Sequence, residues 1–260
     1  WNASRYLLGN LDGRNIVPVK DSDLNELDVW IYSCLDKAAK NAREALESYR
    51  YNDAASAIME YFWNEFCDWY VEASKLSFKN GDNAEKDRQA SVLLNLLEES
   101  LRLLHPYLPF VTEEIYSKLP VEEIVAARKQ AGDNKIVSNS EYTGMIINAP
   151  YPEHSGDREN TEVTARFEVL KDLIGKIRAL RVECGLDPAS KIHIAILVTP
   201  GSPAEVTKEK VDMIELLVGA SKTEFVSEKP EKAIGAVGTG FEAFIIVDEN
   251  IVKESLKTRF

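Results

Sequence analysis

Apolar residues recur every three to four positions through most of the first half of the chain, the spacing of amphipathic helices. Long runs cover 24–49, 58–76 and 90–104, and shorter helices are expected around 1–8, over 109–118 and over 121–131. Asp23 and Glu26 have the spacing of a capping box before the first long run. Together these segments predict a bundle of antiparallel helices.

The pattern changes in the second half. A helical run over 163–180 should end at Gly185 or before Pro188, and strict alternation over 192–198 predicts a strand. A helix over 206–218 closed by Gly219 and strands at 222–227 and 241–247 follow, with a possible third at 233–237. The segment at 145–147 is expected to be extended. The whole is an α+β protein, a helical bundle followed by a smaller α/β module with one sheet.

These patterns suggest a division of the chain into four parts. The bundle should occupy 1–127, a linker and bundle edge 128–160, and the small α/β domain 161–250. A further helical pattern begins at 251–260, where a truncated arm is expected.

Two prolines mark a corner between helices. Pro106 should end the third long helix, because proline lacks the amide donor, and Pro109 suits the first turn of the next helix. Glu113 and Glu114 are then expected in that helix's first turn, where negative charge complements the helix dipole. Three apolar residues should bury the new helix against the old one, namely Phe110, Ile115 and Tyr116.

Four motifs carry a family resemblance. They are H-P-Y-L-P-F-V-T-E-E-I-Y at 105–116, F-C-D-W-Y at 66–70, I-R-A-L-R at 177–181 and W-N-A-S-R-Y at 1–6. Taken in their order along the chain, they resemble class I aminoacyl-tRNA synthetases, the valyl type in particular. A fragment of an isoleucyl- or leucyl-type synthetase is the alternative within that class.

The resemblance implies an anticodon-binding domain. The full-length protein would attach valine to its tRNA with ATP and magnesium, and this part would hold the anticodon stem and loop. Neither of the family's ATP-site strings, H-I-G-H and K-M-S-K-S, is present, so we expect no catalytic residue and no cofactor in this fragment. The implied partners are valine tRNA and the rest of the synthetase, its catalytic core and C-terminal arm. The chain starts at Trp1 rather than methionine, which also suggests a fragment.

The candidate tRNA-binding residues lie in two of these motifs. Asn2 offers a donor and an acceptor to a base edge, Arg5 offers phosphate contact or stacking, and Tyr6 offers a stacking face for an unpaired base. Arg178 and Arg181 are three apart on one helical face and are weaker candidates for phosphate contact. The plainer alternatives are core packing for Tyr6 and a solvated basic stripe for the two later arginines.

Charge limits this hypothesis. The net charge is −12, and nucleic-acid affinity depends mainly on phosphate neutralisation, so binding would need a local basic surface such as residues 1–20. The acidic balance mildly favours another alternative, a helical protein-interaction module without RNA binding. Three dispersed cysteines suggest reduced thiols in a cytoplasmic protein, and the three histidines lack metal-ligand spacing. We therefore expect no metal site, and no apolar run reaches membrane-spanning length.

Overall fold

The computed structural model describes residues 1–11, 13–132, 134–137, 144–187 and 189–246. The helical pattern predicted at 251–260 lies outside these residues. The chain divides into two compact units, Trp1–Thr161 and Glu162–Phe260. The first is helical and the second holds a four-stranded sheet, which confirms the α+β class. Among the described helices, none combines the length and apolar character needed to cross a membrane.

The helical unit follows the predicted runs closely. Its α-helices are α1 (Asn2–Leu11), α2 (Glu26–Glu47), α3 (Tyr51–Met59), α4 (Glu72–Asn80), α5 (Asn83–Leu104), α6 (Pro109–Tyr116) and α7 (Val121–Ala131). The prediction of an extended segment at 145–147 is wrong, because Ile146–Asn148 forms a 3-10 turn.

The start of α2 differs from the prediction. The N-cap is Asn25, whose side chain accepts from the Asp28 amide at 3.0 Å while Asp28 accepts from the Asn25 amide at 3.0 Å. The predicted Asp23–Glu26 box is therefore wrong, and Asp23 instead accepts from the Lys20 amide. Asp28 is fully buried and also accepts from Tyr70 at 2.5 Å, which ties the helix start to the core.

The second predicted helix is continuous but not uniformly α-helical. Glu60–Val71, between α3 and α4, winds as a π-helix. Phe62, Phe66 and Tyr70 follow at intervals of four, with ring centroids 5.6 and 6.2 Å apart along the row. Phe66 and Tyr70 are fully buried, so the F-C-D-W-Y motif contributes mainly to packing.

The helix boundaries predicted at the proline corner are confirmed, but part of the packing predicted there is wrong. Helix α5 ends at Leu104 and α6 begins at Pro109. Ile115 and Tyr116 are buried, but Phe110 is 91% exposed. Glu113 and Glu114 lie beyond the first turn of α6, because that helix starts four residues before Glu113.

Buried ion pairs fasten the segment after α7 to the bundle. Arg158 is 2% exposed and donates to both carboxylate oxygens of Glu99 at 2.8 and 3.0 Å. Burial raises the pKa of Glu99, but the charge and hydrogen bonds of Arg158, together with the charges of Arg102 and Arg128, outweigh burial and lower that pKa. Ser33 donates to the Arg158 carbonyl at 2.5 Å. Residues near 158 thus belong to the packed structure of the helical unit.

The second unit contains α8 (Thr161–Glu183), β1 (Ile192–Val198), α9 (Val211–Val218), β2 (Ala220–Val226), β3 (Ala233–Gly238) and β4 (Phe241–Ile246). The strand order is β2-β1-β4-β3, with β1 and β2 parallel and the other pairs antiparallel. Ile194 pairs with Ile245 and both are fully buried, so the centre of the sheet is core. The helix predicted from 206 starts only at Val211, because Pro203–Glu209 is 3-10.

Candidate nucleic-acid interface

Helix α1 presents the first three candidate residues on its outer side. Ser4 and Leu7 are buried at 3% and 1% exposure, and they fix the inward side of the helix. Asn2 and Arg5 are exposed and Tyr6 is half-buried. The W-N-A-S-R-Y motif therefore leaves polar and aromatic groups available at one surface.

Two lysines extend this surface. The Lys75 ammonium lies 5.2 Å from the Tyr6 ring centroid, and the Lys118 ammonium lies 5.1 Å from that of Trp1. Burial raises the pKa of Tyr6, although the Lys75 charge partly opposes this shift. Because the net change is upward, the phenol is neutral at physiological pH. The arrangement combines cations with aromatic faces, which is the composition of surfaces that bind single-stranded RNA.

Acidic neighbours reduce the positive charge of this surface. Lys75 pairs with Glu72 at 2.5 Å, and Lys118 pairs with Glu114. Arg14, counted in the locally basic segment, lies 3.4 Å from Asp87. Arg5 differs, because its exposed side chain forms no ion pair with any described residue. Of the cations at this surface, Arg5 is thus the one best placed to meet a phosphate.

Arg178 and Arg181 lie in a different environment. Both project from α8 toward the carbonyl end of α9, where Arg178 donates to Leu217 O at 2.9 and 3.1 Å. Arg181 is 7% exposed and donates to the carbonyls of Val218, Asp187 and Ser190 at 2.5, 2.8 and 2.9 Å. Positive charge at a helix C-terminus is favourable, so these guanidinium groups stabilise the α/β unit.

Gly219 makes this contact possible. It closes α9 in the left-handed region at φ +69°, which glycine adopts without strain. A Cβ at this position would lie 2.7 Å from Nη1 of Arg181. The predicted Gly219 stop therefore has two causes, backbone conformation and space for a guanidinium.

One cluster of possible metal ligands was not visible from sequence spacing. Ligand atoms of Asp36, His154 and Glu159 all lie within 4.8 Å of one another. Asp36 is fully buried, sits 2.6 Å from His154 Nδ1 and accepts from the amides of Ser155 and Gly156. These hydrogen bonds explain the cluster as an anchor for 154–156, and the absence of a metal site stays a prediction.

Burial disfavours the thiolate form of two of the three cysteines, Cys67 and Cys184, and raises the pKa of both. Cys34, Cys67 and Cys184 are half-buried, and none of these described residues forms a disulfide. Burial, and after it the Asp68 charge, raise the pKa of Cys67 to about 11. A thiol that stays protonated at neutral pH is a poor nucleophile.

Comparison with known proteins decides the family. Residues 28–196, well over half of the chain, match the family described as anticodon-binding domain of tRNA ligase. The chain belongs to this family. The match includes Arg178 and Arg181 but begins after α1, so it does not cover Asn2, Arg5 and Tyr6.

Individual relatives of this anticodon-binding domain extend over α1 as well. A valine–tRNA ligase of Treponema denticola is 52% identical over 267 residues, which cover 100% of the chain and 28% of the relative. Those of Treponema pallidum and Thermotoga maritima are 40% and 34% identical, covering 100% and 99% of the chain. The chain spans 28% of the length of both Treponema relatives and 27% of the Thermotoga one. These names agree with the predicted valyl type rather than the isoleucyl or leucyl alternative.

Proposed function

We propose that this chain is the anticodon-binding part of a valine–tRNA ligase and holds the anticodon stem and loop of valine tRNA. The observation that carries the proposal is the family match over 28–196, together with valine–tRNA ligases that align with the whole chain. This family also disfavours a protein-interaction module without RNA binding. We expect the protein to act in the cytoplasm.

In this proposal the chain contributes orientation rather than bond chemistry. Holding the anticodon arm places the acceptor end of the tRNA at a distant active site, and such positioning lowers the entropic part of a reaction barrier. ATP, magnesium and the catalytic residues would belong to the remainder of the ligase. The chain alone should therefore show no valine-dependent pyrophosphate exchange above a protein-free control.

Within the chain, we propose α1 as the tRNA-facing surface. Tyr6 would stack on an unpaired base, Asn2 would contact a base edge and Arg5 a phosphate. The support is the exposure of Asn2 and Arg5 and the lysines beside the Tyr6 and Trp1 rings. Phosphate contact by Arg178 and Arg181 remains the weaker prediction, because carbonyl groups of the α/β unit already accept from both.

We also propose that the two compact units fold separately, with the α/β domain starting near Thr161. Buried contacts of Arg158 lie on the bundle side of this boundary. Limited proteolysis should then cut in the vicinity of 161 before sites inside either unit. An early cut within 150–158 would contradict the role of the buried ion pair.

A filter-binding titration against salt tests the function. Valine tRNA should bind with an affinity that falls steeply as salt rises, and an anticodon-swapped tRNA should bind more weakly. Weak binding of both RNAs at every salt concentration would refute the proposal. Equal binding of both would remove anticodon recognition from it.

A further inference from the structure

Lys75 contacts both an aromatic ring and a carboxylate, and the proposed function leaves its role open. Its ammonium lies 5.2 Å from the Tyr6 ring centroid and 2.5 Å from Oε1 of Glu72, one turn earlier in the same helix. An ammonium over an aromatic face is attracted by the electrons of the ring. Lys75 is therefore held between Glu72 and the ring that we propose as a stacking face.

The same arrangement occurs at the other ring of the W-N-A-S-R-Y motif. Lys118 lies 5.1 Å from the Trp1 ring centroid and pairs with Glu114, four residues earlier in the chain. At both rings, a lysine from outside α1 meets the ring and also an acid one helical turn before it. The repetition indicates a feature of this surface rather than the chance position of one long side chain.

Buried residues fix the backbone that carries Lys75. Tyr70 is fully buried, donates to Asp28 at 2.5 Å and accepts from Gln89 at 2.8 Å. Ser74, next to Lys75, is 1% exposed. The F-C-D-W-Y motif, which has no other role in the proposed function, thus anchors the helix from which Lys75 reaches α1.

The π-helix helps to set the direction in which Lys75 points. It ends at Val71, and α4 begins at the next residue. A π-turn takes more residues than an α-turn, so the side chains that follow leave the helix at an angle that an unbroken α-helix would not give. Turns of this kind often occur at functional sites. The winding of 60–71 therefore contributes to the contact between Lys75 and Tyr6.

Charge indicates that Lys75 acts on the ring rather than on RNA. Glu72 offsets its charge, and a matched pair gains little from an approaching phosphate. The pair also contributes little to stability, because the two side chains are 37% and 44% exposed. Control of the ring is the remaining effect. A base that stacks on a ring already held in place costs less conformational entropy on binding.

We propose that Lys75, held by Glu72, is a positioning residue that fixes the Tyr6 ring for stacking by an unpaired base of tRNA. The inference deepens the proposed function and rests on it. Loss of the positioning should weaken tRNA binding about threefold to tenfold, the usual effect of having to order one more side chain. The factor should be the same at every salt concentration, because no phosphate contact is removed.

A double-mutant cycle with valine tRNA tests whether Lys75 acts through Tyr6. Lys75→Met keeps the aliphatic stem and should weaken binding by that factor in the parent chain, but not in Tyr6→Ala. Lys75→Arg keeps a cation over the ring and should restore binding. The matched control is Lys79→Met, which should bind like the parent. Lys79 lies one turn further along α4, is exposed and forms no ion pair with another described residue.

A measurement without tRNA keeps the test decisive if Tyr6→Ala does not fold. The nuclear magnetic resonance signals of an isotope-labelled Tyr6 ring should move in Lys75→Met, because the ammonium leaves the ring face. They should stay in place in Lys79→Met. An unchanged Tyr6 signal in folded Lys75→Met would mean that the ammonium does not hold the ring, and the inference would be wrong.

Three binding results would also overturn the inference. The first is folded Lys75→Met that binds valine tRNA like the parent. The second is a loss that persists in full in Tyr6→Ala, which would show that Lys75 does not act through the ring. The third is a salt slope lower by about one counterion in Lys75→Met, which would show direct phosphate contact. Failure of the parent chain to bind valine tRNA at any salt concentration would instead refute the proposed function, and the inference with it.

Discussion

Arg5 in the helical unit and Arg181 in the α/β unit are both arginines on the face of a helix, yet their guanidinium groups do different things. Arg5 is exposed and forms no ion pair with any described residue. Arg181 is 7% exposed and donates to three backbone carbonyls. A helix that ends inside a fold supplies carbonyl groups that need donors, and a neighbouring arginine meets that need before any RNA can.

The helical unit also contains an arginine with a purely structural role, Arg158. Arg158 is almost fully buried and makes a two-bond contact with Glu99. Arginines of this chain thus range from buried and structural to exposed. The candidate for RNA contact is the one at the exposed end of that range.

The largest effect is expected at Arg158. Arg158→Ala leaves the Glu99 carboxylate buried without its main partner, which should lower the free energy of unfolding by about 3–5 kcal/mol. All four tryptophans and all ten tyrosines lie within residues 1–161. Urea unfolding followed by tryptophan fluorescence therefore measures this loss in the helical unit alone. A loss below about 1 kcal/mol would show that the buried pair is not structural.

The next effect is expected at Arg181. Arg181→Ala removes donors from three carbonyls and should destabilise the α/β unit by about 2–3 kcal/mol. The second unit has no tryptophan or tyrosine, so the earlier transition should appear in far-ultraviolet circular dichroism and not in tryptophan fluorescence. Arg5→Ala is the matched control and should stay within about 0.5 kcal/mol of the parent. Coincident shifts in both signals would contradict separate folding of the units.

Two glycines sharpen the comparison further. Gly219→Ala should cost about 1–3 kcal/mol, because the residue has φ +69° and its Cβ would displace Arg181. Gly175→Ala, in the interior of α8 with open space around it, should instead stabilise by about 0.5–1 kcal/mol. Circular dichroism melts of the two variants check the opposite signs. A neutral Gly219→Ala would mean that Arg181 does not need this space.

A substitution of Tyr6 tests the proposed role of α1 in RNA binding. Tyr6→Ala should weaken binding of valine tRNA by about 1–3 kcal/mol if the ring stacks on a base. Tyr6→Phe keeps the ring and should bind like the parent. Circular dichroism must first show both variants folded, because Tyr6 is half-buried. Folded Tyr6→Ala that binds like the parent would remove stacking from the proposal.

Much of the fold could be predicted from the sequence, since local signals determine it. The helical runs, the two proline positions and the alternation at 192–198 all report local preferences. The start of α2 was misplaced because Asp23–Glu26 and Asn25–Asp28 both satisfy the capping pattern, and only the buried contact with Tyr70 selects the second. The π-helix was missed because apolar spacing of four also fits an α-helix.

The features that the sequence did not predict depend on contacts between positions far apart in the chain. Glu99 and Arg158 are 59 residues apart, and Asp36 and His154 are 118 apart, so spacing could not reveal either pair. Phe110 was predicted to be buried because it is apolar, but Ile115 and Tyr116 take the inward side of α6. The sequence offered both Arg5 and, more weakly, Arg181 as candidates for phosphate contact. Only the position of the α9 carbonyl end separates them.

The most direct measurement is the salt dependence of valine tRNA binding for the parent, Arg5→Ala and Arg178→Ala. If α1 is the tRNA-facing surface, Arg5→Ala should reduce the slope of log affinity against log salt by about one counterion. Arg178→Ala should leave the slope unchanged, because Leu217 O already accepts from its guanidinium. A slope that falls for Arg178→Ala and not for Arg5→Ala would contradict the assignment and place the RNA contact on α8.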